Sequence, residues 1–284
     1  MRPLAVLLAA LALPLLAVGS PLRAQRVTSD TGDVMSRVAQ YVDAYYSRAQ
    51  SILAVETVRV QQVSRDRMSD GFARRFVYNL RVEWTPADGG PPEATLAREL
   101  VSVNGRAPRP GDEPHCTAPR PITPEPLAMF LAERQGDFLF SDAEETRLDG
   151  RDLLRLDFRI KEPDPDVVSW DRECVTMEFP SRMRGRVWLD QETGEILRID
   201  EGATGPVEVN GPPDRRRNGL LPVIVFDRSD TSIRYRPVHF DDPDEMLLLP
   251  ERIESLTMSR TGGTRRTQTY SNYRRFVTGG RIVG

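Results

Sequence analysis

The feature that most constrains the fold is a two-residue alternation that runs from Phe72 to Trp84. Most even positions in this segment are apolar, whereas the odd positions include Arg75, Asn79 and Arg81. A strand with this pattern has one buried face and one face in water. Because strands of a parallel sheet are buried on both faces, the alternation predicts an antiparallel sheet.

The same alternation recurs in 154–160 and on both sides of Gln191–Gly194, where it predicts a hairpin. Turn signals stand at Asn104-Gly105, Asp149-Gly150 and Gly262-Gly263. Less regular segments bring the total to about ten strands. These segments lie near 54–65, 94–103, 140–148, 172–179, 231–239, 251–260 and 265–276.

Two helices are predicted beside these strands. Apolar residues recur at three- and four-residue steps from Asp33 to Leu53, which is typical of an amphipathic helix that lies across a sheet. Thr123-Pro124-Glu125 is typical of a helix start, and the second helix is predicted over 124–135. Loops are predicted at 86–92 and 202–222. Together, these helices and strands predict one α+β domain over residues 25–284.

The first 24 residues predict a secretory signal peptide. Arg2 is followed by an apolar run over 4–18, and a small residue, Ala24, precedes the expected cleavage before Gln25. The apolar run is shorter than the roughly 20 residues of a transmembrane helix. No later segment is apolar enough to cross a bilayer, so no transmembrane segment is predicted in the mature chain. The protein is predicted to be exported, to the periplasm of a Gram-negative source or as a secreted protein.

Export affects the interpretation of the two cysteines, Cys116 and Cys174. In an oxidising compartment, two cysteines in a chain of this size predict one structural disulfide. Two free thiols, or a redox or metal site, are the alternatives. His115 adjoins Cys116, but the sequence has no Cys-x-x-Cys motif.

Composition excludes several classes of function. Asp and Glu total 42 against 39 Lys and Arg, and the net charge of −3 argues against nucleic-acid binding. The common hydrolase, metalloprotease, dinucleotide and phosphate-loop motifs are absent, so no catalytic residue, cofactor or metal site is predicted. The acidic run Asp241–Glu245 is interpreted as a solvated turn, and Arg215–Arg217 as an exposed loop. A pocket that grouped His115 or His239 with carboxylates would favour an enzyme instead.

Three segments resemble the lipoprotein-localisation-factor superfamily of exported proteins. The opening helix leads straight into Val55–Val60, and the hairpin 185–199, with Trp188-Leu189-Asp190 before its turn, is similar to the central hairpin of that family. Leu249-Pro250-Glu251 and the later segment 270–276 resemble the closing strands of relatives without an assigned role. The resemblance implies an antiparallel half-barrel of about ten strands with helices on its concave side. It also implies a hydrophobic cavity that shelters acyl chains.

The apolar faces of the strands are the candidate ligand site. They are expected to point to the concave side, where they form either a simple core closed by the helices or a pocket for an apolar ligand. The predicted partner is a lipid or lipoprotein, and the alternative is an envelope scaffold or sensor that contacts another envelope protein. The candidate residues are Phe72, Phe76, Tyr78, Leu80, Val82, Leu156, Phe158, Ile160, Val187, Leu189, Leu197 and Ile199.

Overall fold

The structure is a computed structural model that describes residues 22–49, 51–87, 90–112, 125–171, 174–178, 180–211 and 222–275. Short 3₁₀ turns at Gln135–Asp137 and Pro180–Arg182 accompany two α-helices and thirteen strands in this part of the chain. The elements are α1 (Leu22–Arg48), β1 (Ser51–Val63), β2 (Ser69–Ala87), β3 (Gly90–Val103), α2 (Glu125–Ala128), β4 (Phe138–Leu148), β5 (Arg151–Ile160), β6 (Val167–Asp171), β7 (Cys174–Glu178), β8 (Met183–Leu189), β9 (Ile196–Ala203), β10 (Val207–Asn210), β11 (Val223–Asp241), β12 (Asp244–Ser259) and β13 (Gly262–Arg275).

Eleven of these strands form one open antiparallel sheet. Their order is β3-β2-β1-β13-β12-β11-β9-β8-β5-β4, and β10 pairs separately with β11. The first and last strands of the sequence are neighbours near the middle of this order, with Thr57 opposite Thr269. β6 and β7 form a two-stranded hairpin of their own. The fold is therefore the α+β half-barrel that the alternation and the family resemblance predict.

Helix α1 covers one face of this sheet, which we call the concave face. Val38 and Val42 of the helix, and Ala49 directly after it, are completely buried and belong to one hydrophobic cluster with sheet residues such as Leu156 and Ile199. Full burial of a side chain of this size contributes about 1.5–3 kcal/mol. Packing of its apolar stripe on the sheet is what mainly stabilises the helix, because most helical stability in proteins comes from tertiary packing rather than from intrinsic propensity.

The end of α1 differs from the sequence prediction. The helix ends at Arg48, and Ile52 and Leu53, which were predicted as helical, lie in β1. Ile52 also continues an alternating pattern with Ala54 and Val58, so the sequence fits both periods. Pairing of β1 with β2 on one side and with β13 on the other decides in favour of the strand.

The start of α1 also differs, since the helix begins at Leu22 rather than near Asp33. Residues 1–21 lie outside the described residues, so the signal peptide stays a prediction. In the described part of the chain, no helix has the length and apolar content that a bilayer crossing requires.

The second helix is shorter than predicted. Helix α2 has four residues, Glu125–Ala128, and the chain then continues in turns. Its apolar residues nevertheless pack as expected, because Leu127, Phe130 and Leu131 are all buried. The amide of Phe130 donates to the carbonyl of Leu127 at 2.9 Å, which is a three-residue turn that tightens the helix end.

Three further boundaries differ from the predictions. The loop predicted over 86–92 is shorter, because β2 continues to Ala87 and β3 begins at Gly90. The segment predicted as a loop over 202–222 contains β10, Val207–Asn210, which pairs with β11. The strand predicted near 172–179 is β7, and its partner β6 was not predicted. Both β6 and β10 are short strands that depend on pairing with a neighbour, which the local pattern does not show.

The predicted hairpin 187–199 is confirmed, and its turn holds α1 in place. Gly194 has a φ of +74°, and a Cβ there would lie 2.6 Å from the backbone of Arg37. Only glycine accepts both this conformation and this close approach. The Arg37 side chain in turn donates from Nε to the carbonyl of Gln191 at 2.8 Å. The β8–β9 turn therefore fixes the position of α1 over the concave face.

Candidate functional site

Most of the predicted concave-face residues are buried in the structure. Leu80 and Val82 pack in the cluster beneath α1, whereas Phe76 and Tyr78 form a second cluster with Val58. The other predicted members that lie in the first cluster are Leu156, Phe158, Val187, Leu189 and Ile199. The concave face thus carries two separate packed apolar regions.

Two predicted members occupy less central positions. Ile160 is half-buried, and Leu197 is buried without belonging to the cluster beneath α1. A register shift between Trp188 and Leu189 places Ile196 opposite Leu189. Ile196 therefore joins the cluster, and sequence alternation, which cannot show a bulge, missed it.

The prediction for Phe72 is wrong. Its side chain is fully exposed, because β2 contains a bulge between its pairs Val60–Arg74 and Gln62–Asp70. The Gln61 side chain is buried and donates from Nε2 to the carbonyls of Asp70 at 3.0 Å and of Gly71 at 3.1 Å. Phe72 lies on the bulged segment that this amide holds, and the alternation begins only after it.

The exposure of Phe72 and the burial of Phe76 predict different effects for substitutions at two phenylalanines four residues apart. Phe72→Ser should change the free energy of unfolding by no more than about 0.5 kcal/mol, because an exposed side chain loses no packing. Phe76→Leu should cost about 1 kcal/mol, because Phe76 is 1% exposed. Urea denaturation of both variants measures the difference, and equal losses would contradict the bulge.

One end of the concave face is filled by aromatic rings. Phe158 lies over Gly185 of the next strand, where a Cβ would come within 2.0 Å of its Cζ. Phe130, Phe138 and Phe140 surround it with ring centroids 6.4–6.5 Å from that of Phe158. These spacings are typical of favourable edge and tilted contacts.

A buried polar cluster interrupts the apolar face near its middle. Glu56 is completely buried, and Nε of Arg98 lies 2.9 Å from its Oε2. Its Oε1 accepts from Nη2 of Arg98 at 3.0 Å, from Nε2 of Gln268 at 2.9 Å and from the hydroxyl of Tyr270 at 3.3 Å. The cluster connects β1, β3 and β13. A carboxylate surrounded by this many donors is stabilised in place as a structural group.

Burial also affects the tyrosine of this cluster. The pKa of Tyr270 is raised well above its ordinary value by burial and then by the nearby charge of Glu56. Tyr270 therefore stays protonated at neutral pH and donates to the carboxylate. The sequence does contain a signal for the cluster, since Glu56 lies between Ala54 and Val58 in the alternating series of buried positions of β1. Its partner Arg98 is 42 residues away, so the pairing itself was not predicted.

The acidic run and His239 lie at the β11–β12 connection. His239 Nε2 is 2.8 Å from Oδ1 of Asp244, and Nδ1 is 3.4 Å from Oδ1 of Asp241. These side chains are 51%, 87% and 100% exposed, so they form a solvated turn rather than a pocket. Within the described ranges, no group of three or more His, Cys, Asp or Glu side chains is placed to hold a metal ion.

Several predicted features lie outside the described residues. They include Cys116, His115 and Arg215–Arg217. Cys174 belongs to β7, but the description does not extend to its side chain. The Cys116–Cys174 disulfide therefore stays a prediction.

Comparison with known proteins gives fold-level likenesses at low identity. No family model and no curated protein matches the sequence. A solved structure described as a putative outer membrane lipoprotein-sorting protein domain, from Vibrio parahaemolyticus, is 12% identical with a TM-score of 0.37, covering 88% of this chain and 94% of its own. A DUF1329 family protein from Desulfovibrio piger is 12% identical with a TM-score of 0.40, covering 89% and 94%. A LolA superfamily protein from Nitrosomonas europaea is 14% identical with a TM-score of 0.32, covering 86% and 94%.

With identities of 14% or less and TM-scores below 0.5, the function is inferred from the residues of this chain alone.

Proposed function

We propose that this protein is an exported, non-enzymatic carrier that binds an apolar ligand, a lipid or the acyl chain of a lipoprotein, on the concave face. The observation that carries the proposal is the apolar surface of an open sheet covered by a single long helix. Carriers of apolar molecules need such a surface and a cover that separates it from water. The predicted signal peptide supports a role in the periplasm or outside the cell.

The contact between α1 and the sheet is mainly apolar, and the described polar connections are few. Nε of Arg37 donates to the carbonyl of Gln191 in the β8–β9 turn, and Nη2 of Arg275 in β13 donates to the carbonyl of Arg48 at the end of the helix. An acyl chain offers the sheet the same kind of contact as the apolar stripe of α1, at about 0.8 kcal/mol for each buried CH₂ group. Movement of α1 away from the sheet would therefore exchange one apolar cover for another.

The margin of the concave face gives a ligand its access. Tyr41, Leu96 and Tyr235 are half-buried and pack against the main cluster from its border. We propose that a chain enters there before it reaches fully buried residues such as Leu156. The margin is also where a substitution can affect binding without removing the centre of the core.

A fluorescent fatty acid tests this proposal on the mature chain. We expect saturable uptake by the wild-type protein and at least tenfold weaker uptake by Leu96→Glu, because a carboxylate at the apolar margin opposes an acyl chain. Leu139→Glu is the matched control, since Leu139 is exposed and lies between the inward-facing Phe138 and Phe140. Equal effects of the two substitutions, or no uptake by folded wild-type protein, would reject the carrier.

A scaffold or sensor with a packed core is the second candidate, and one observation favours it. Val38, Leu156 and Ile199 are 0% exposed, so the helix and the sheet are in close contact. In that case the fatty acid is not taken up, and the protein acts through contacts with another envelope protein. Purification from an envelope extract should then recover one stoichiometric partner.

A further inference from the structure

The outer face of the sheet, opposite α1, has a polar groove where β1, β13 and β12 lie side by side. We call it the arginine groove, and its walls include Arg59, Arg252, Glu254 and Arg265. Its volume is about 330 Å³, which is several times the roughly 30 Å³ that one water molecule occupies in the liquid. The groove is therefore large enough for a small polyatomic anion.

Strand register explains why a groove forms at this position. Arg59 of β1 lies opposite Thr267 of β13, and Thr267 lies opposite Glu254 of β12. Directly opposite residues of antiparallel strands point to the same face, so a short side chain lies between two long ones. Thr267 forms the floor, and Ser69 of β2 also lines the groove. Both short residues contribute a hydroxyl group that can donate a hydrogen bond.

The charge of the groove is unbalanced. Glu254 forms an ion pair with Arg252, and these two side chains are 44% and 47% exposed. Within the described ranges, Arg59 and Arg265 have no ion-pair partner, which leaves two positive charges on the lining. Elsewhere on this face, arginines such as Arg198 are paired, in that case with Asp200 at 2.7 Å.

A single exposed arginine that has no ion-pair partner among the described residues, such as Arg184, is common on protein surfaces and does not indicate a binding site. The groove differs because three guanidinium groups surround a concave floor that carries hydroxyl donors. Guanidinium groups are suited to phosphate because their planar donors fit two oxygens at once, and charge-assisted hydrogen bonds are stronger than neutral ones.

We propose that the arginine groove binds a phosphate group, either of a free phosphate anion or of a phospholipid headgroup. Arg59 and Arg265 provide the charge, and Thr267 and Ser69 provide further donors to the phosphate oxygens. The groove lies on the face of the sheet opposite α1, so this inference does not depend on the proposed carriage of an acyl chain.

Two measurements on the mature protein distinguish the two sources of phosphate. Titration with inorganic phosphate, followed by amide chemical shifts, should move the resonances of residues around Thr267. Co-sedimentation with vesicles of phosphatidylcholine containing phosphatidylglycerol should exceed that with phosphatidylcholine alone. Arg59→Gln combined with Arg265→Gln should weaken whichever binding is seen by at least about tenfold, and added salt should weaken it in the wild type.

The matched control is Arg159→Gln combined with Arg184→Gln, which removes the same charge from the outer face at the β5–β8 pair. Glu254→Gln should strengthen binding, because it removes a negative charge from the groove. Binding of phosphate alone assigns the site to a free anion, and vesicle binding as well assigns it to a headgroup. Absence of both, or an equal loss in the two double variants, would overturn the proposal. Thermal unfolding confirms that each variant is folded.

Discussion

Replacing Glu56 with alanine is expected to lower the free energy of unfolding by about 3–5 kcal/mol. Glu56 is completely buried, and the side chain of Arg98, its ion-pair partner, is only 17% exposed. Removal of the carboxylate takes from the poorly hydrated guanidinium the counter-charge that Glu56 supplies. Gln268 and Tyr270 lose the same acceptor. The cost is therefore mainly that of buried polar groups that lose this partner, beyond that of a lost contact.

Denaturant unfolding measures this effect, and two controls identify its cause. Asp152→Ala should cost no more than about 0.5 kcal/mol, because Asp152 and its partner Arg147 are 80% and 69% exposed. Glu56→Gln combined with Arg98→Met should cost less than the two single substitutions added together, because the double variant leaves no charge unpaired. Additive losses, or similar losses for Asp152 and Glu56, would contradict a coupled buried pair.

Stability is expected to fall steeply above about pH 10 because of the buried tyrosines. Burial raises the pKa of Tyr45 and of Tyr270 above the ordinary value, and both side chains are less than 5% exposed. Above pH 10 the unfolded chain loses these two protons while the folded chain keeps them. The free energy of unfolding should therefore decrease by at least about 2.8 kcal/mol for each pH unit, whereas below about pH 10 these groups contribute no pH dependence.

Three further tyrosines act in the same direction. The pKa values of Tyr41, Tyr235 and Tyr273 are also raised, first of all by burial. Arginine keeps its proton in this range, and the sequence has a single lysine, so few cationic groups compete with the tyrosines.

Urea unfolding between about pH 8 and pH 11 measures the slope. Tyr45→Phe is the informative variant, because burial is the cause of its raised pKa and no other charge contributes. Its slope above pH 10 should be shallower than that of the wild type by about 1.4 kcal/mol for each pH unit. A wild-type stability that stays constant through this range would contradict the prediction.

The strands were predictable where alternation and turn chemistry agree. Apolar and polar residues alternate without interruption from Tyr78 to Trp84, and this segment lies within β2. Asn104-Gly105 and Asp149-Gly150 have positive φ at both residues, as the type of turn they predict requires. In these cases neighbouring residues determine the strand or turn, and tertiary contacts favour the same conformation.

The errors arise where contacts distant in sequence determine the structure. Phe72 continues the alternation of Phe76, but the bulge held by Gln61 removes it from the face. Ile52 fits a helix and a strand equally, and its pairing with two neighbouring strands decides. The same distinction applies to the candidate site. Most of its apolar members were predicted from local alternation, whereas the Glu56–Arg98 pair, which joins residues distant in sequence, was not.

The position of β1 between β2 and β13 has a consequence for how the chain reaches its native state. More than 200 residues separate Glu56 from Tyr270, which lie opposite each other on these strands. During synthesis β1 can pair with β2 as soon as the first hairpin is complete, but its other edge has no partner until the end of the chain is made. Closing so large a loop is slow relative to local pairing. The completed sheet therefore requires β13, and a chain that has not yet reached β13 presents an open strand edge along β1.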